Sequence, residues 1–230
     1  VLARAAAYFA EGDVLLSQLA EIDARKALRE GRIQVAELCR LDEARARNLL
    51  RYVLKSAGIA MPDSARLHEA LRQTCHAAAD RQVCIDLGQC VLHRYQGELW
   101  LVQKYSAPVA TDWRGEDSLD WGRDTLSFDR TRGGGIGMER LEGMAVRILP
   151  RRGGERFQPD IRRPRRELKK LLQEHGVPPW QREIMPLLWC GEELVWVPGI
   201  GIDCAWQCRK GEAGLLPVWN ARAGNELPPI

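Results

Sequence analysis

The stretch from Arg151 to Trp189 reads RRGGERFQPDIRRPRRELKKLLQEHGVPPWQREIMPLLW. Residues 151–170, the basic segment, hold nine cations: Arg151, Arg152, Arg156, Arg162, Arg163, Arg165, Arg166, Lys169 and Lys170. Three acidic residues leave this segment with a net charge of +6, whereas the whole chain carries +3, so the remaining residues sum to −3. This concentration of positive charge favours an anionic partner.

A helix is predicted to begin inside the basic segment. Pro164 suits the first helical position, and Gly176 suits the position just past the end. One apolar stripe follows the helical repeat, formed by Leu168, Leu171, Leu172 and His175, while Arg165, Arg166, Lys169 and Lys170 project on the opposite side. A charged helix face is most often only a solvated surface. The scarcity of interleaved acids favours a phosphate backbone as partner instead.

Length and composition indicate a globular chain of one large or two ordinary domains. The chain has 230 residues, of which 45% are hydrophobic and 28% charged, and no apolar run is long enough to span a membrane. The first residues are not expected to form a signal peptide. Because the sequence begins with Val1 inside a helical pattern, we interpret it as a fragment of a longer cytoplasmic protein.

Cysteine and histidine spacing predicts neither disulfides nor a metal site. Seven cysteines are an odd number without recurring spacing, which favours free thiols in a reducing cytosol. Cys204 and Cys208 lie four residues apart, but nothing nearby completes a zinc-binding set. His68 and His76 are interpreted as structural residues.

Residues 1–104 are predicted to form a mainly helical domain with a small β-hairpin. Its predicted helices are residues 1–30, with a possible break at Gly12-Asp13 and an apolar stripe of Leu15, Leu19 and Ile22, then Asp42–Ala57, and Ala65–Ala78 with Ser64 as cap. Its predicted strands are Val83–Leu87, Cys90–Tyr95 and Glu98–Gln103, with a turn at Gln96-Gly97. Arg47 and Arg51 recur on one face of the second helix, although pairing of Arg47 with Glu43 is an equally good interpretation.

A second domain of mixed α+β structure is predicted over residues 124–220. Residues 105–123 lack any period and are interpreted as a linker that Trp113 and Trp121 pin to a neighbouring surface, and residues 221–230 as a tail. The predicted strands are Thr125–Phe128, Met138–Leu141, Met144–Leu149, Pro186–Cys190, Leu194–Val197 and Leu215–Trp219. The basic helix and a short helix at Pro178–Glu183 complete this α+β domain, in which Trp180 is expected to be a core residue.

Several motifs of this chain resemble the tRNA(Ile)-lysidine synthase family. The runs GGERF, ELKKLLQE, GVPPW, MPLLW and EELVWVPGIGID, which lie between Gly153 and Asp203, resemble its C-terminal domain. NLLRYVL at Asn48–Leu54 and LHRYQGELWLV at Leu92–Val102 resemble its substrate-binding domain. The stretches 104–123 and 130–137 match poorly, so no function is carried onto them.

The resemblance implies a role in tRNA modification. Enzymes of this family are ligases that join lysine to the wobble cytidine of the CAU anticodon of tRNA(Ile), which changes codon specificity from AUG to AUA. ATP adenylates the cytosine 2-carbonyl, and the lysine ε-amine then displaces AMP. The resemblance therefore implies ATP with Mg and lysine as substrates of the full enzyme, tRNA(Ile) as partner, and tRNA contacts at the nine cations of the basic segment, with Arg47 and Arg51 as a second group.

No catalytic residue is predicted in this chain, and no cofactor is expected to bind to it. An SGGxDS-type phosphate loop is absent, and the glycine-dense turn at Gly133–Gly137 leads into a predicted strand rather than a helix. We interpret that turn as a flexible hairpin loop. The chain is therefore expected to hold tRNA without catalysing the ligation.

Two other functions are compatible with the residues alone. The chain could be a nucleic-acid-binding module of another RNA-processing protein, which would bind duplex DNA as well as tRNA. It could also be a protein-interaction region, with an acidic partner or a second copy of itself on the basic face.

Overall fold

The computed structural model describes residues 2–78, 83–104 and 106–221, and these form two compact units that divide between residues 104 and 105. Both units mix helices with antiparallel sheets, as the α+β prediction requires. Of the predicted tail 221–230, all residues after Ala221 lie outside the described part.

Four helices precede the main strands of the first unit: Leu2–Ala27 (α1), Val35–Leu38 (α2), Glu43–Ser56 (α3) and Ser64–His76 (α4). Asp42 and Asp63 accept hydrogen bonds from the backbone N–H groups of Arg45 and Arg66, so carboxylates cap α3 and α4. The prediction of Ser64 as cap is therefore wrong by one residue. The proposed break in α1 at Gly12-Asp13 is also wrong, since the helix runs through both residues.

The sheet of the first unit is larger than the predicted hairpin. Its strands are Leu28–Arg29 (β1), Arg32–Gln34 (β2), Val83–Asp86 (β3), Cys90–Tyr95 (β4) and Glu98–Gln103 (β5), in the order β1-β2-β5-β4-β3. The turn at Gln96-Gly97 is confirmed, and both residues have positive φ. The first unit is thus a mixed α+β domain rather than helices with one hairpin.

Of the predicted apolar stripe of α1, only Leu19 is partly buried. Leu15 is 59% exposed and Ile22 is 52% exposed, and Phe9 is 80% exposed nearer the start of the helix. The buried face of α1 consists instead of Ala20, Asp23, Ala24 and Ala27. Small residues on this face allow α3 to approach, and buried Asp23 accepts hydrogen bonds from the Arg45 guanidinium. The prediction assumed that the large apolar side chains of α1 are buried, whereas the buried face is made of small residues and Asp23.

A disulfide joins Cys39, just past α2, to Cys75 in α4. The prediction that all cysteines are free thiols is wrong for these two residues. Spacing along the chain could not reveal the pair, because the fold brings together residues that are 36 positions apart. The other five cysteines are free.

The second unit contains two larger antiparallel sheets and one short ladder. One sheet has the order β15-β14-β13-β10-β6 and the other β7-β8-β16-β9, while β11 pairs only with β12. The strands are Thr111–Trp113 (β6), Ser118–Trp121 (β7), Asp124–Arg132 (β8), Ile136–Gly137 (β9), Val146–Leu149 (β10), Arg156–Phe157 (β11), Arg166–Glu167 (β12), Leu187–Cys190 (β13), Glu193–Val197 (β14), Gly201–Ile202 (β15) and Ala213–Asn220 (β16).

The predicted irregular linker 105–123 is wrong at residues 111–113 and 118–121, which form β6 and β7. Trp121 is buried and donates its indole N–H to the carbonyl of Ile184, and Trp113 packs against Phe128. Both tryptophans therefore anchor this stretch inside the second unit. Residues 105–123 mix Pro, Gly, Asp and Ser without a period, so neither strand is recognised in the sequence.

The glycine-dense turn is not a hairpin loop. It leads into β9 as predicted, but β8 and β9 do not pair with each other, because β16 lies between them. A Cβ atom at Gly135 would lie 2.5 Å from the carbonyl oxygen of Leu215, and one at Gly214 would lie 1.8 Å from that of Gly134. Glycine is required here for close packing of the turn against β16. Residues 138–140, predicted as part of a strand, form a 3-10 turn.

The principal helix is shorter than predicted and spans Leu168–Glu174 (α5), followed by Pro179–Ile184 (α6). Pro164 lies in a loop, and residues 166–167 pair with 156–157 as strands. Leu168, Leu171 and Leu172 are buried as predicted, whereas His175 is not. Gly176 follows the helix with φ of 69°, which confirms the predicted end. Trp180, expected in the core, is only half-buried.

Candidate nucleic-acid interface

The basic segment is a loop and a short strand ladder, and only its last two cations, Lys169 and Lys170, lie on α5. Arg165 and Arg166 were predicted to lie on the helix, but they lie before it. The ladder holds the loop in place, since Leu168 donates its backbone N–H to the carbonyl of Glu155. The segment is therefore a folded surface with its own carboxylates.

Arg165 is a structural residue. Its guanidinium is 3.0 Å from one oxygen of Asp203 and 2.9 Å from the other, and Asp203 is 1% exposed. The same carboxylate accepts hydrogen bonds from the backbone N–H groups of Gln158 and Ala205. A buried carboxylate requires such partners, so Arg165 is committed to the fold and is not free for a phosphate.

Arg166 and Arg151 are also paired with carboxylates. Arg166 binds Glu174 through both terminal nitrogens, and this bidentate contact raises the pKa of Arg166 and lowers that of Glu174. Arg151 donates to buried Glu155 at 3.2 Å, and the backbone N–H groups of Arg152 and Gly153 bind the same side chain. The charges of Arg151 and Arg166 are thus largely balanced inside the protein.

Two further pairs are open to solvent. Arg163 lies 3.8 Å from Asp160, and Lys170 lies 3.6 Å from Glu167, with all four side chains about half or more exposed. Such pairs contribute little stability and exchange readily for another anion. Arg163 and Lys170 therefore remain available for a phosphate.

Four cations of the basic segment form no ion pair with any described residue, namely Arg152, Arg156, Arg162 and Lys169. All four are exposed, although Arg156 donates to the carbonyl of Arg165. Counting Glu174 and Asp203 with the three acids inside the segment lowers its net charge from +6 to +4. The expectation that its charge is largely unpaired is wrong for five of the nine cations, yet a positive surface remains.

Within the described part of the chain, Arg47 of the second predicted group is paired with a carboxylate and Arg51 is not. Arg47 lies 3.3 Å from Glu43, four residues earlier on α3, so the pairing considered from the sequence is present. Arg51 is exposed and forms no ion pair with the residues that the structure describes. His68 shares Glu43, with its Nδ1 3.0 Å from the carboxylate.

A second group of cations was missed by the sequence analysis. Arg130 and Arg132 at the end of β8 lie beside Arg209 and Lys210, because the turn at 133–135 packs on the loop at 209–212. We call these four residues the turn cluster. The adjacent pair Arg209-Lys210 and the alternating Arg130 and Arg132 were visible signals, but their meeting depends on the pairing of β8 with β16.

Two kinds of feature are missing from the described residues. No group of three or more His, Cys, Asp or Glu side chains there could hold a metal ion. None of the described helices combines the length and the apolar character that crossing a membrane requires. The first unit has a cavity of about 450 Å³, lined by residues that include His68, His76 and the Cys39–Cys75 disulfide.

Comparison with known proteins assigns both units. Residues 33–100 match the family described as the TilS substrate binding domain, and residues 146–219 match the TilS substrate C-terminal domain. A tRNA(Ile)-lysidine synthase from Nitrosomonas europaea is 42% identical over 231 residues, which cover 98% of this chain and 50% of the relative. In both of its units the chain is similar to the tRNA(Ile)-lysidine synthase family. The resemblance of the motifs is thereby confirmed.

Other lysidine synthases match over the same extent. Those of Azoarcus sp. and Aromatoleum aromaticum are both 38% identical over 95% of this chain. The chain spans about half the length of the curated relatives it matches. A solved structure titled "Crystal structure of TILS C-terminal domain" aligns with 43% of this chain and 85% of that chain, at 17% identity and a TM-score of 0.36, which is too low to support a conclusion.

Proposed function

We propose that this chain is the tRNA-binding region of a tRNA(Ile)-lysidine synthase and that it acts on tRNA(Ile) with a CAU anticodon. The observation that carries the proposal is the set of exposed, unpaired cations in the unit that matches the TilS substrate C-terminal domain. In this proposal Arg152, Arg156, Arg162 and Lys169 contact phosphates, with Arg163, Lys170 and Arg51 as weaker contacts.

The proposed contacts are of the kind that holds a folded RNA without reading its sequence. Arginine and lysine donate charge-assisted hydrogen bonds to phosphate oxygens, and such bonds fix register and orientation. Double-stranded RNA is recognised mainly through its backbone and shape. A surface of this type suits an enzyme that must hold a whole tRNA while it modifies one loop base.

The ligation chemistry is proposed to take place outside these residues. The described residues do not fit an ATP or Mg site, because the glycine-dense turn leads into β9 and is packed against β16, where no helix N-terminus faces it. We therefore propose that ATP, Mg and lysine are handled by another part of the enzyme. A cytoplasmic location is proposed because the substrate is tRNA.

The proposal is tested by measuring the salt dependence of tRNA binding. Arg162→Gln/Lys169→Gln removes two exposed cations that have no carboxylate partner in the described structure. Lys26→Gln/Arg29→Gln, two exposed cations in the first unit, is the control with the same charge change. We expect the slope of log K against log salt to fall by about 1.5 in the first variant, because each lost phosphate contact removes about 0.7–0.9, and to stay unchanged in the control.

Competition between the tRNA(Ile) transcript and duplex DNA of equal length separates the proposal from a general nucleic-acid-binding module. A clear preference for tRNA supports the proposal, and equal competition by DNA contradicts it. Equal slopes for the two charge variants would show that binding depends on total charge and not on the basic segment.

One observation favours a second candidate function, self-association through α1. Exposed apolar residues recur every seven positions on this helix, as Leu2, Phe9 and Leu16 and as Tyr8, Leu15 and Ile22. Helices with such repeats pair with one another. Sedimentation of the chain over a range of concentrations tests this function: a dimer that Leu15→Ser/Ile22→Ser dissociates supports it, and a monomer at all concentrations excludes it.

A further inference from the structure

Arg130 and Arg132 of the turn cluster lie in the stretch 130–137, onto which the family motifs carry no function, whereas Arg209 and Lys210 lie within the matched C-terminal domain. Arg130 and Arg132 lie on β8 opposite Leu215 and Ala213, so alternation places both side chains on the same face of the sheet. The chain then turns through three glycines and enters β9. Both arginines are exposed, although Leu215, the strand partner of Arg130, is a buried core residue.

Direct contacts bring Arg209 and Lys210 to the same place. Gly133 donates its backbone N–H to the carbonyl of Glu212 at 2.8 Å, and Cys208 donates to that of Gly135 at 2.9 Å. The Nε of Arg132 donates to the carbonyl of Gly211 at 3.2 Å, which holds its guanidinium over the 209–212 loop. These contacts hold Arg132 close to the loop that carries Arg209 and Lys210, and Arg130 lies two residues before Arg132 on the same strand.

The turn cluster contains little compensating charge. Glu212 is the single carboxylate paired with it among the described residues; it lies 3.9 Å from Arg209, and the Arg209 side chain is 79% exposed. Arg130, Arg132 and Lys210 form no ion pair in the described structure. The cluster thus keeps three unpaired cations out of four, a larger share than the basic segment keeps.

The glycines leave the surface beside these cations open. Nothing lies within 4 Å of the position that a Cβ atom would take at Gly134 or Gly211. A bare backbone lets a bulky anion approach the cations closely. This openness suits a phosphate group of a polynucleotide.

The turn cluster is also connected to the basic segment. The side-chain amide of Gln207 donates to the carbonyl of Pro159 at 2.9 Å. Arg209 and Arg162 lie two and three residues from this contact, so their backbones are within roughly 25 Å of each other by chain length alone. One RNA backbone can therefore reach both groups.

We propose that Arg130, Arg132, Arg209 and Lys210 form a second phosphate-binding site for the RNA that the basic segment holds. The inference rests on the proposed function and extends it, because it assigns a role to the glycine-dense turn. The two sites together position the RNA across the second unit, since contacts at two separated points fix orientation better than contacts at one.

The test compares matched variants in the full chain with the tRNA(Ile) transcript as probe. Arg130→Gln/Lys210→Gln, Arg162→Gln/Lys169→Gln and Lys26→Gln/Arg29→Gln each remove two charges, and binding is measured over a series of KCl concentrations. We expect the turn variant to lower the salt slope by about 1.5 and the control to leave it unchanged. Exchanging the residue types, as Arg130→Lys/Lys210→Arg, should restore the slope because the charges return.

The outcomes separate the two proposals. A slope that falls for the basic-segment variant but not for the turn variant overturns this inference alone. A slope that falls for the turn variant alone supports the second site. It also contradicts the proposal that the basic segment contacts the RNA. No salt-dependent binding by the unmodified chain overturns both. If Arg130→Gln/Lys210→Gln unfolds, the single variant Lys210→Gln, at an exposed loop position, replaces it. This variant should lower the salt slope by about 0.8. An unchanged slope would then overturn the second site.

Discussion

Single residues of the basic segment divide into those that support the fold and those that face solvent. In the sequence all nine cations of the basic segment look equally available. In the structure, Arg165 pairs with Asp203 and Arg166 pairs with Glu174. The partners are 38 and 8 residues apart along the chain, and not the three or four that bring side chains together on one helix. The sequence therefore does not predict either pair. Charge density along the chain therefore predicts a positive surface but overstates its free charge.

Removal of Asp203 tests the structural role of this pairing. Asp203→Ala leaves Arg165 and two backbone N–H groups without their acceptor in a buried site. We expect the free energy of unfolding of the second unit to fall by about 3 kcal/mol, because buried donors without partners are costly. Chemical denaturation measures this loss. Arg162→Ala, at an exposed unpaired position, is the control and should change stability by less than about 0.5 kcal/mol.

Free cysteines are expected to differ widely in reactivity. Cys84 is exposed, whereas burial raises the pKa of the Cys90 thiol to about 11 and also raises that of Cys190. Since the thiolate is the reacting species, Cys84 should be alkylated at pH 8 long before Cys90 and Cys190. Mass spectrometry of peptides after timed iodoacetamide treatment measures the order. Labelling of Cys90 as fast as Cys84 in the folded protein would contradict the burial described here.

Elements with a long, regular period were predictable, and those fixed by distant partners were not. The prediction was confirmed within one residue at each end for α3, β3, β4, β5, β13 and β14, because each has its own apolar pattern bounded by turn residues. The predicted start of the basic helix at Pro164 failed because residues 166–167 pair with residues 156–157. A two-residue strand has no sequence period of its own, so tertiary pairing overrides the local helix signal.

Removing a carboxylate of α5 should raise tRNA affinity, whereas removing cations should lower it. Glu174→Gln releases Arg166 from its bidentate partner and adds one free cation to the interface. We expect tRNA affinity to rise and the salt slope to steepen by about 0.8. Fluorescence titration with labelled tRNA measures both, and Glu183→Gln, at an exposed position on α6, is the control for the net charge change.

A mutation is required for this test because mildly acidic pH does not break the pair. The Arg166 contact lowers the pKa of Glu174, so this carboxylate stays ionised at pH values where an unperturbed glutamate takes up a proton. Its contribution to stability is present above the usual glutamate pKa and is lost only as the pH falls through the lowered value. Affinity that rose at mildly acidic pH to the level of Glu174→Gln would contradict this assignment.

The molecule as a whole consists of two units with separate cores, and only the first contains the disulfide. Closing a loop of 36 residues limits the unfolded chain and contributes about 3–4 kcal/mol. We expect reducing agent to lower the unfolding midpoint of the first unit and leave that of the second unchanged. Calorimetry with and without reductant measures this, and Cys39→Ser should reproduce the shift. Equal shifts in both transitions would contradict separate stabilisation.

The order of strands around β16 has a consequence for synthesis on the ribosome. β8 and β9 are made about eighty residues before Ala213–Asn220, yet each must wait for that segment to fill the gap between them. Until those residues leave the exit tunnel, both strands offer bare amide and carbonyl edges to any neighbouring nascent chain. A message cut short before codon 213 would therefore yield a polypeptide prone to aggregate rather than a shortened but folded domain.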